Sequence, residues 1–256
     1  KMTVLASFPD LKGRSVFITG GGSGIGAALT EGFLRQGAKV AFCQRSDGTA
    51  FCDAMEEATG QRPLFLPCDI SVTDQLQLTL STAAKVQGPI TVLVNNAAND
   101  RRHETMETDE VFWDWSMAVN LRSYFFACQS VIPGMQAEGG GSIINFSSIS
   151  FMMADTGYAS YITANAGIVG MTRTLAREFG PDRIRVNAVA PGWVLTDKQK
   201  EMWVTPESLA AHLARQCLPD PIQPEDMAGV VLFLASEASR MMTSQTLILD
   251  GGYISS

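Results

Sequence analysis

The sequence predicts an α/β domain whose parallel sheet is covered by helices on both faces. Three observations carry the prediction. Short apolar runs alternate with longer amphipathic runs along all 256 residues, the order produced by repeated βα units. Ile90-Thr91-Val92-Leu93-Val94 is a β-branched run without polar alternation, as a central strand buried on both faces requires. Ser15-Val16-Phe17-Ile18 passes straight into Thr19-Gly20-Gly21-Gly22-Ser23-Gly24-Ile25-Gly26, then into an amphipathic stretch over 27–36 closed by Gly37. Strand, glycine turn and helix in that order present free backbone N–H groups and a positive helix end to a phosphate.

The first strand covers 15–18. In the turn after it a Cβ would obstruct both the bend and the close approach of a pyrophosphate. The spacing is G-x-x-x-G-x-G, not the general G-x-G-x-x-G, so taken alone the cluster also reads as a flexible turn. The second strand, 40–43, ends at Gln44 and Arg45. An NAD-binding unit places a carboxylate there for the ribose hydroxyls. Neutral Gln44 does not repel a 2′-phosphate, and Arg45 can pair with one; the alternative for Arg45 is a solvated surface charge.

A helical run at 50–58 precedes the third strand, 64–68, which ends at Asp69-Ile70. Asp69 meets the adenine edge, or else Asp69 or Ser71 caps the helix over 74–86. The fourth strand, 90–94, leads into Asn95-Asn96-Ala97-Ala98 and the polar loop Asn99-Asp100-Arg101-Arg102-His103. A helix over 109–135 carries Asn120 on its apolar side. The fifth strand, 142–146, ends in Ser147-Ser148, and a helix over 157–179 carries Tyr158, Tyr161 and Asn165. The sixth strand, 184–189, is followed by Pro191-Gly192-Trp193-Val194-Leu195-Thr196. Residues 197–216 are polar and helical, within a lid segment of about 194–220. A helix over 224–237 and a strand over 246–249 close the chain at Asp250-Gly251-Gly252.

Composition narrows the function classes. The length suits one α/β domain, 1–256, and no composition break divides it. The formal net charge of −7 argues against a nucleic-acid partner. No run reads as a membrane span or a signal peptide. Lys1 ahead of Met2 reads as an addition to the natural start. The cysteines Cys43, Cys52, Cys68, Cys128 and Cys217 form no C-x-x-C pair and read as reduced core residues of a cytoplasmic protein. His103 and His212 are too far apart for a metal site, and none is expected.

Thr19 to Gly26, Asp69, Asn95-Asn96-Ala97, Asn120, Ser148, Tyr161, Pro191-Gly192, Thr196 and Asp250-Gly251-Gly252, in this order and spacing, resemble the short-chain dehydrogenase/reductase family over essentially the whole chain. The resemblance implies a single-domain, Rossmann-like, doubly wound sheet of seven parallel strands in the order 3-2-1-4-5-6-7. It also implies a nicotinamide cofactor, NAD or NADP, across the carboxyl ends of the strands. The implied cofactor residues are Gly20, Ser23, Gly24, Ile25, Gly26, Gln44, Arg45, Asp69, Ile70, Asn96, Ala97, Tyr161, Asn165, Pro191, Gly192, Val194 and Thr196. Ser148, thirteen positions before Tyr161, resembles the family's catalytic serine, and Tyr161 its acid/base tyrosine. Asn120 resembles the asparagine that holds a relay water. Tyr158 has the wrong spacing to Ser148 and reads as packing or a pocket wall. One position departs: the family's Tyr-x-x-x-Lys is here Tyr161-Ile162-Thr163-Ala164-Asn165. The family lysine bonds the nicotinamide ribose and lowers the tyrosine's pKa; Asn165 brings no full charge. A catalytically weak cofactor- or sugar-binding protein is therefore the competing reading.

Within the family the chain more closely resembles sugar (aldose) 1-dehydrogenases, through residues 95–103 and through Pro191-Gly192-Trp193-Val194 with Thr196 and Gln199. Such enzymes oxidise the anomeric hydroxyl of a pyranose to a lactone. The implied sugar residues are Asn99, Asp100, Arg102, His103, Ser148 and Trp193. Polar side chains serve the hydroxyls, and an indole gives a platform for the C–H face; the alternatives are lid packing for Trp193 and a surface salt bridge for Asp100 with Arg102. Phe151, Met152 and Met153 make the pocket partly apolar, so D-galactose is the first expectation, with L-fucose, L-rhamnose and pentoses open. Related proteins pair through the helices at 109–135 and 157–179, which implies a homotetramer.

Overall fold

The computed structural model describes residues 6–254; Lys1 lies outside them. Seven parallel strands form one sheet: β1 (Ser15–Thr19), β2 (Lys39–Gln44), β3 (Leu64–Pro67), β4 (Val92–Asn95), β5 (Gly141–Phe146), β6 (Ile184–Pro191) and β7 (Thr246–Leu249). Their order is β3-β2-β1-β4-β5-β6-β7, the Rossmann-like order expected. The fold is thus a single doubly wound domain. Alternation along each strand sorts side chains to the two faces. Val16, Ile18, Val92 and Val94 join the core under α1 (Gly24–Arg35), while Phe17 and Leu93 join the opposite one.

The first core is completed by Leu29 and Phe33 of α1, by Cys52 and Met55 of α2 (Thr49–Thr59), and by Met227 and Val231 from the last helix of the chain. The second is built from α3 (Thr73–Gln87), α5 (Ser123–Ala137) and α6 (Ala159–Phe179), through residues such as Leu80, Val131 and Leu175. Between them on the chain lie α4 (Glu110–Met117), α7 (Asp197–Met202) and α8 (Pro206–Leu213); α9 itself spans Pro224–Ala235. Among the described residues no helix is long and apolar enough to cross a membrane. All five cysteines are free thiols, and only Cys217 is exposed.

Two expected helices are divided. The run read as one helix over 109–135 is α4 and α5 joined by a π-helical turn at Ala118–Arg122, and Asn120 sits inside that turn. A π-turn bulges the backbone outward, a distortion often kept where a side chain must be re-aimed. The stretch 197–216 splits into α7 and α8 because Thr205 caps a new helix and Pro206 occupies its first position, where the missing N–H costs nothing.

Candidate active site

The sheet order reverses at β1, which pairs with β2 on one side and β4 on the other. Ligands of doubly wound sheets bind in the crevice that opens there, beyond the carboxyl strand ends. The chain holds this point closed with its own side chains. Thr19 Oγ1 accepts the backbone N–H groups of Asn96 (2.9 Å) and Ala97 (3.0 Å). Asn96 Nδ2 donates back to the Thr19 carbonyl at 2.9 Å and the Gly20 carbonyl at 3.3 Å. Gly20 needs its hydrogen: its φ is +69°, and a Cβ would lie 3.1 Å from Ala97 Cβ. Gly26 needs its own because a Cβ there would run into the Gly20 carbonyl.

Two adjoining clefts open over this junction. The larger, of about 940 Å³, is lined by Gly20, Ser23, Gly24, Ile25, Gly26, Gln44, Arg45, Asp69, Ile70, Asn96, Ala97, Asn99 and Thr196. It fits a dinucleotide on two grounds. Ser23 at the N-cap of α1 makes no side-chain capping bond and the first turn holds no acid, so the first N–H groups of a helix are left for an anion. The glycines keep the approach clear. Gln44 is a neutral strand end, its Nε2 bonded to Ser46 Oγ at 3.2 Å, and Arg45 is exposed and forms no ion pair among the described residues. Asp69 does not cap α3: its Oδ1 accepts from Ser71 N (2.9 Å) and Oγ (2.7 Å), while the N-cap is Val72 with no side-chain bond.

The second cleft, about 500 Å³, shares Ile25, Asn96, Ala98 and Thr196 with the first. Its walls bring together Asn120, Ser148, Tyr161, Asn165, Asp100, Arg102, Pro191, Gly192, Trp193 and Val194. Ser148 Oγ accepts the Ser150 N–H at 3.1 Å, which leaves its own proton free to donate. Asn165 is buried, and its Nδ2 donates to the Tyr161 carbonyl one turn back at 2.9 Å. Asn120 commits both polar atoms to the loop after β4. Its Oδ1 accepts from Asn99 N at 2.7 Å, and its Nδ2 donates to the Asn99 carbonyl at 3.0 Å and Ser116 Oγ at 3.3 Å.

Burial raises the Tyr161 phenol above its ordinary pKa and the Asp100 charge adds to this, while Asn165, Ser148 and Arg102 act in the opposite direction. Tyr158 is a wall: its ring stacks on Tyr161 with centroids 5.5 Å apart, its hydroxyl donates to Asp155 at 2.7 Å, and the Arg102 guanidinium lies over the ring, 3.6 Å from its centroid. Burial, then the Asp155 bond, push this phenol up to about 12.

Asp100 and Arg102 line the smaller cleft, as a sugar-binding pair would, and the alternative of a salt bridge between them is not found. Asp100 instead pairs with Lys198 at 3.1 Å and accepts from Gln199 Nε2 at 3.2 Å. His103 lines neither cleft. Its backbone N–H donates to the Gly157 carbonyl and its ring packs 4.7 Å from Phe112, so it braces the loop from behind. Asn99 lies along the larger cleft, and its Oδ1 is turned to Arg101 N at 3.0 Å. Trp193 does line the smaller cleft, held by Nε1 donating to Gln199 Oε1 at 2.9 Å and packed edge-on to His212. Sequence reasoning missed Tyr124, Asp155, Trp203, His212 and Tyr253 on the same walls. Only Tyr253 carried a signal, directly after Asp250-Gly251-Gly252. Among the described residues no cluster could hold a metal ion.

A family model described as Enoyl-(Acyl carrier protein) reductase matches residues 20–254. The chain belongs to the short-chain dehydrogenase/reductase family. It is thus an NAD(P)-dependent oxidoreductase by descent. It is 48% identical to the Rhizobium meliloti (strain 1021) protein named "Probable galactose dehydrogenase GalD", over 98% of this chain and 99% of that one. It is 46% identical to the D-xylose 1-dehydrogenase of Caulobacter vibrioides (strain NA1000 / CB15N), over 97% and 98%. Among solved structures, a blue fluorescent protein from a metagenomic library, in complex with NADPH, superposes with a TM-score of 0.86 at 32% identity, covering 96% of this chain and 100% of the other.

Proposed function

We propose that the protein is an aldose 1-dehydrogenase, oxidising the anomeric hydroxyl of a pyranose to the lactone with NAD or NADP. The observation that carries the reading is one cleft wall holding Tyr161, Ser148 and Asn165, set against a second cleft with a clear glycine turn. The names of the two sugar-dehydrogenase relatives support it. D-galactose is the first choice of substrate, with L-fucose, L-rhamnose and pentoses open.

When bound, NAD(P) supplies the hydride acceptor. The glycine turn, the start of α1, Asn96 and Thr196 would hold it, with Gln44 and Arg45 at its ribose end; neutral Gln44 accepts either cofactor. Tyr161, as phenolate, takes the proton of the C1 hydroxyl, and Ser148 donates to the same oxygen and fixes it. Asn120 keeps the Asn99–Asp100 loop in place. Trp193 offers its face to the sugar's C–H side. The segment 194–220 acts as a lid over the single domain.

Tyr161→Phe should lower kcat at least ~10²-fold, the usual scale for a lost acid/base group, with cofactor binding kept. Near-normal turnover would remove Tyr161 from the role. A second reading is favoured by Asn165: its amide is bonded to the Tyr161 carbonyl and carries no charge. A catalytically weak binding protein would bind cofactor and aldose without producing NAD(P)H.

We also propose a cytoplasmic homotetramer. Val111, Trp113 and Phe125 of α4 and α5 are exposed large apolar residues, and isologous pairing of such helices would cover them. Light scattering at micromolar concentration should give the mass of four chains; a monomer mass refutes it.

A further inference from the structure

Asp100 lines the same cleft as Tyr161, its charge raises the phenol, and both of its oxygens are occupied. Lys198 Nζ lies 3.1 Å from Oδ1, and Gln199 Nε2 donates to Oδ2 at 3.2 Å. Gln199 in turn accepts from Trp193 Nε1 at 2.9 Å. The contact joins residues 98 positions apart, tying the loop after β4 to the start of α7 where the two clefts meet. Seen from the phenol, the pair is a dipole rather than a bare negative charge.

We propose that Lys198 is a positioning residue for proton transfer at Tyr161: it pins and neutralises Asp100 and so supplies part of the charge compensation that the uncharged Asn165 leaves open. The proposal rests on Tyr161 being the base. The other charged or titratable groups on the walls around the phenol are Arg102 from the same loop, Asp155 and Tyr158 before and at the start of α6, Tyr124 of α5, His212 of α8 and Tyr253 after β7. Arg102 acts in the same direction as Lys198, but its guanidinium lies over the Tyr158 ring. Burial alone would push the Asp100 carboxyl up; Lys198 and Gln199 outweigh it and hold it below the usual carboxylate range. It is therefore charged whenever the phenol titrates. The Lys198 side chain is 55% exposed and the Asp100 side chain 24%, so solvent screens the pair and the effect is modest.

The test is the ultraviolet absorbance of the Tyr161 phenolate against pH, taken as the difference between each protein and its Tyr161→Phe counterpart. Lys198→Met should make Tyr161 about two- to fivefold harder to ionise, the range of a screened pair. Asp100→Asn should make it easier to ionise, and Lys198→Arg should restore the original titration. In the Asp100→Asn background, Lys198→Met should change little. An equal effect of Lys198→Met in both backgrounds, or an Asp100→Asn titration identical to the original, overturns the proposal. The kcat profile separates the two readings: a shifted phenol with an unshifted kcat limb upholds the coupling and removes Tyr161 as the base.

Discussion

Asn165→Lys restores the family's charge at the position where this chain lacks it. Asn165 is 3% exposed, stands one turn after Tyr161 on α6, and acts on the phenol as a neutral hydrogen-bonding group. An ammonium ~5 Å from the phenolate oxygen, at an effective dielectric constant of ~20, stabilises it by about 3 kcal/mol. Burying that ammonium takes back part of the gain. A net gain of about 1–2 kcal/mol multiplies the phenolate population roughly five- to thirtyfold. The assay is kcat against pH for both proteins with a good aldose. Because burial and Asp100 raise the wild-type phenol, its kcat should climb through an alkaline limb. Asn165→Lys should move that limb to lower pH and raise kcat at neutral pH about tenfold. Superimposable profiles would show that residue 165 does not control the proton affinity of Tyr161 and that its loss is compensated by another group.

Two further predictions follow from the walls of the clefts. Arg45→Ala should weaken NADP roughly ten- to a hundredfold and NAD far less, since a charge-assisted bond contributes about 1.5–3 kcal/mol; equal losses by calorimetry would mean that Arg45 does not read the phosphate. Asp100 has its folded pKa depressed, so its ion pair stabilises the fold above the ordinary carboxylate pKa and ceases to as pH falls through the folded value. The Tm difference between wild type and Asp100→Asn should therefore be present at neutral pH and disappear in acid; a difference that persists there would place its origin outside the ion pair.

The fold was legible because its signals are local. The glycine turn, the apolar run at 90–94 and the alternation of strand and helix each sit within one βα unit, and the strand order followed from the family resemblance. The boundaries that failed were set by contacts across the chain. The π-turn at Ala118–Arg122 accompanies the bonds between Asn120 and the Asn99 loop, which the helical periodicity of 109–135 does not reveal. The residues that line the larger cleft were legible for the same local reason, as strand ends and a helix start. The sugar side was not. Asp100 and Arg102 are near neighbours in sequence, so a salt bridge between them stood as the alternative to a sugar role; the fold instead delivers Lys198 and Gln199 from α7 to Asp100 and leaves Arg102 on Tyr158. His103 belongs to a polar loop, but Phe112 draws its ring behind that loop. His212 meets Trp193 on one side and Tyr253 on the other only through packing of α8 against the end of the chain, which no spacing in the sequence encodes.

The most direct test of the aldose dehydrogenase reading is the formation of NADH or NADPH by the purified protein with D-galactose, L-fucose, L-rhamnose and a pentose, run beside Tyr161→Phe and beside a cofactor-binding titration of both. The account predicts reduced cofactor and lactone with at least one of these sugars, and a loss of at least ~10²-fold in Tyr161→Phe with binding retained. Cofactor bound by both proteins, with no reduced cofactor from any aldose, would contradict it.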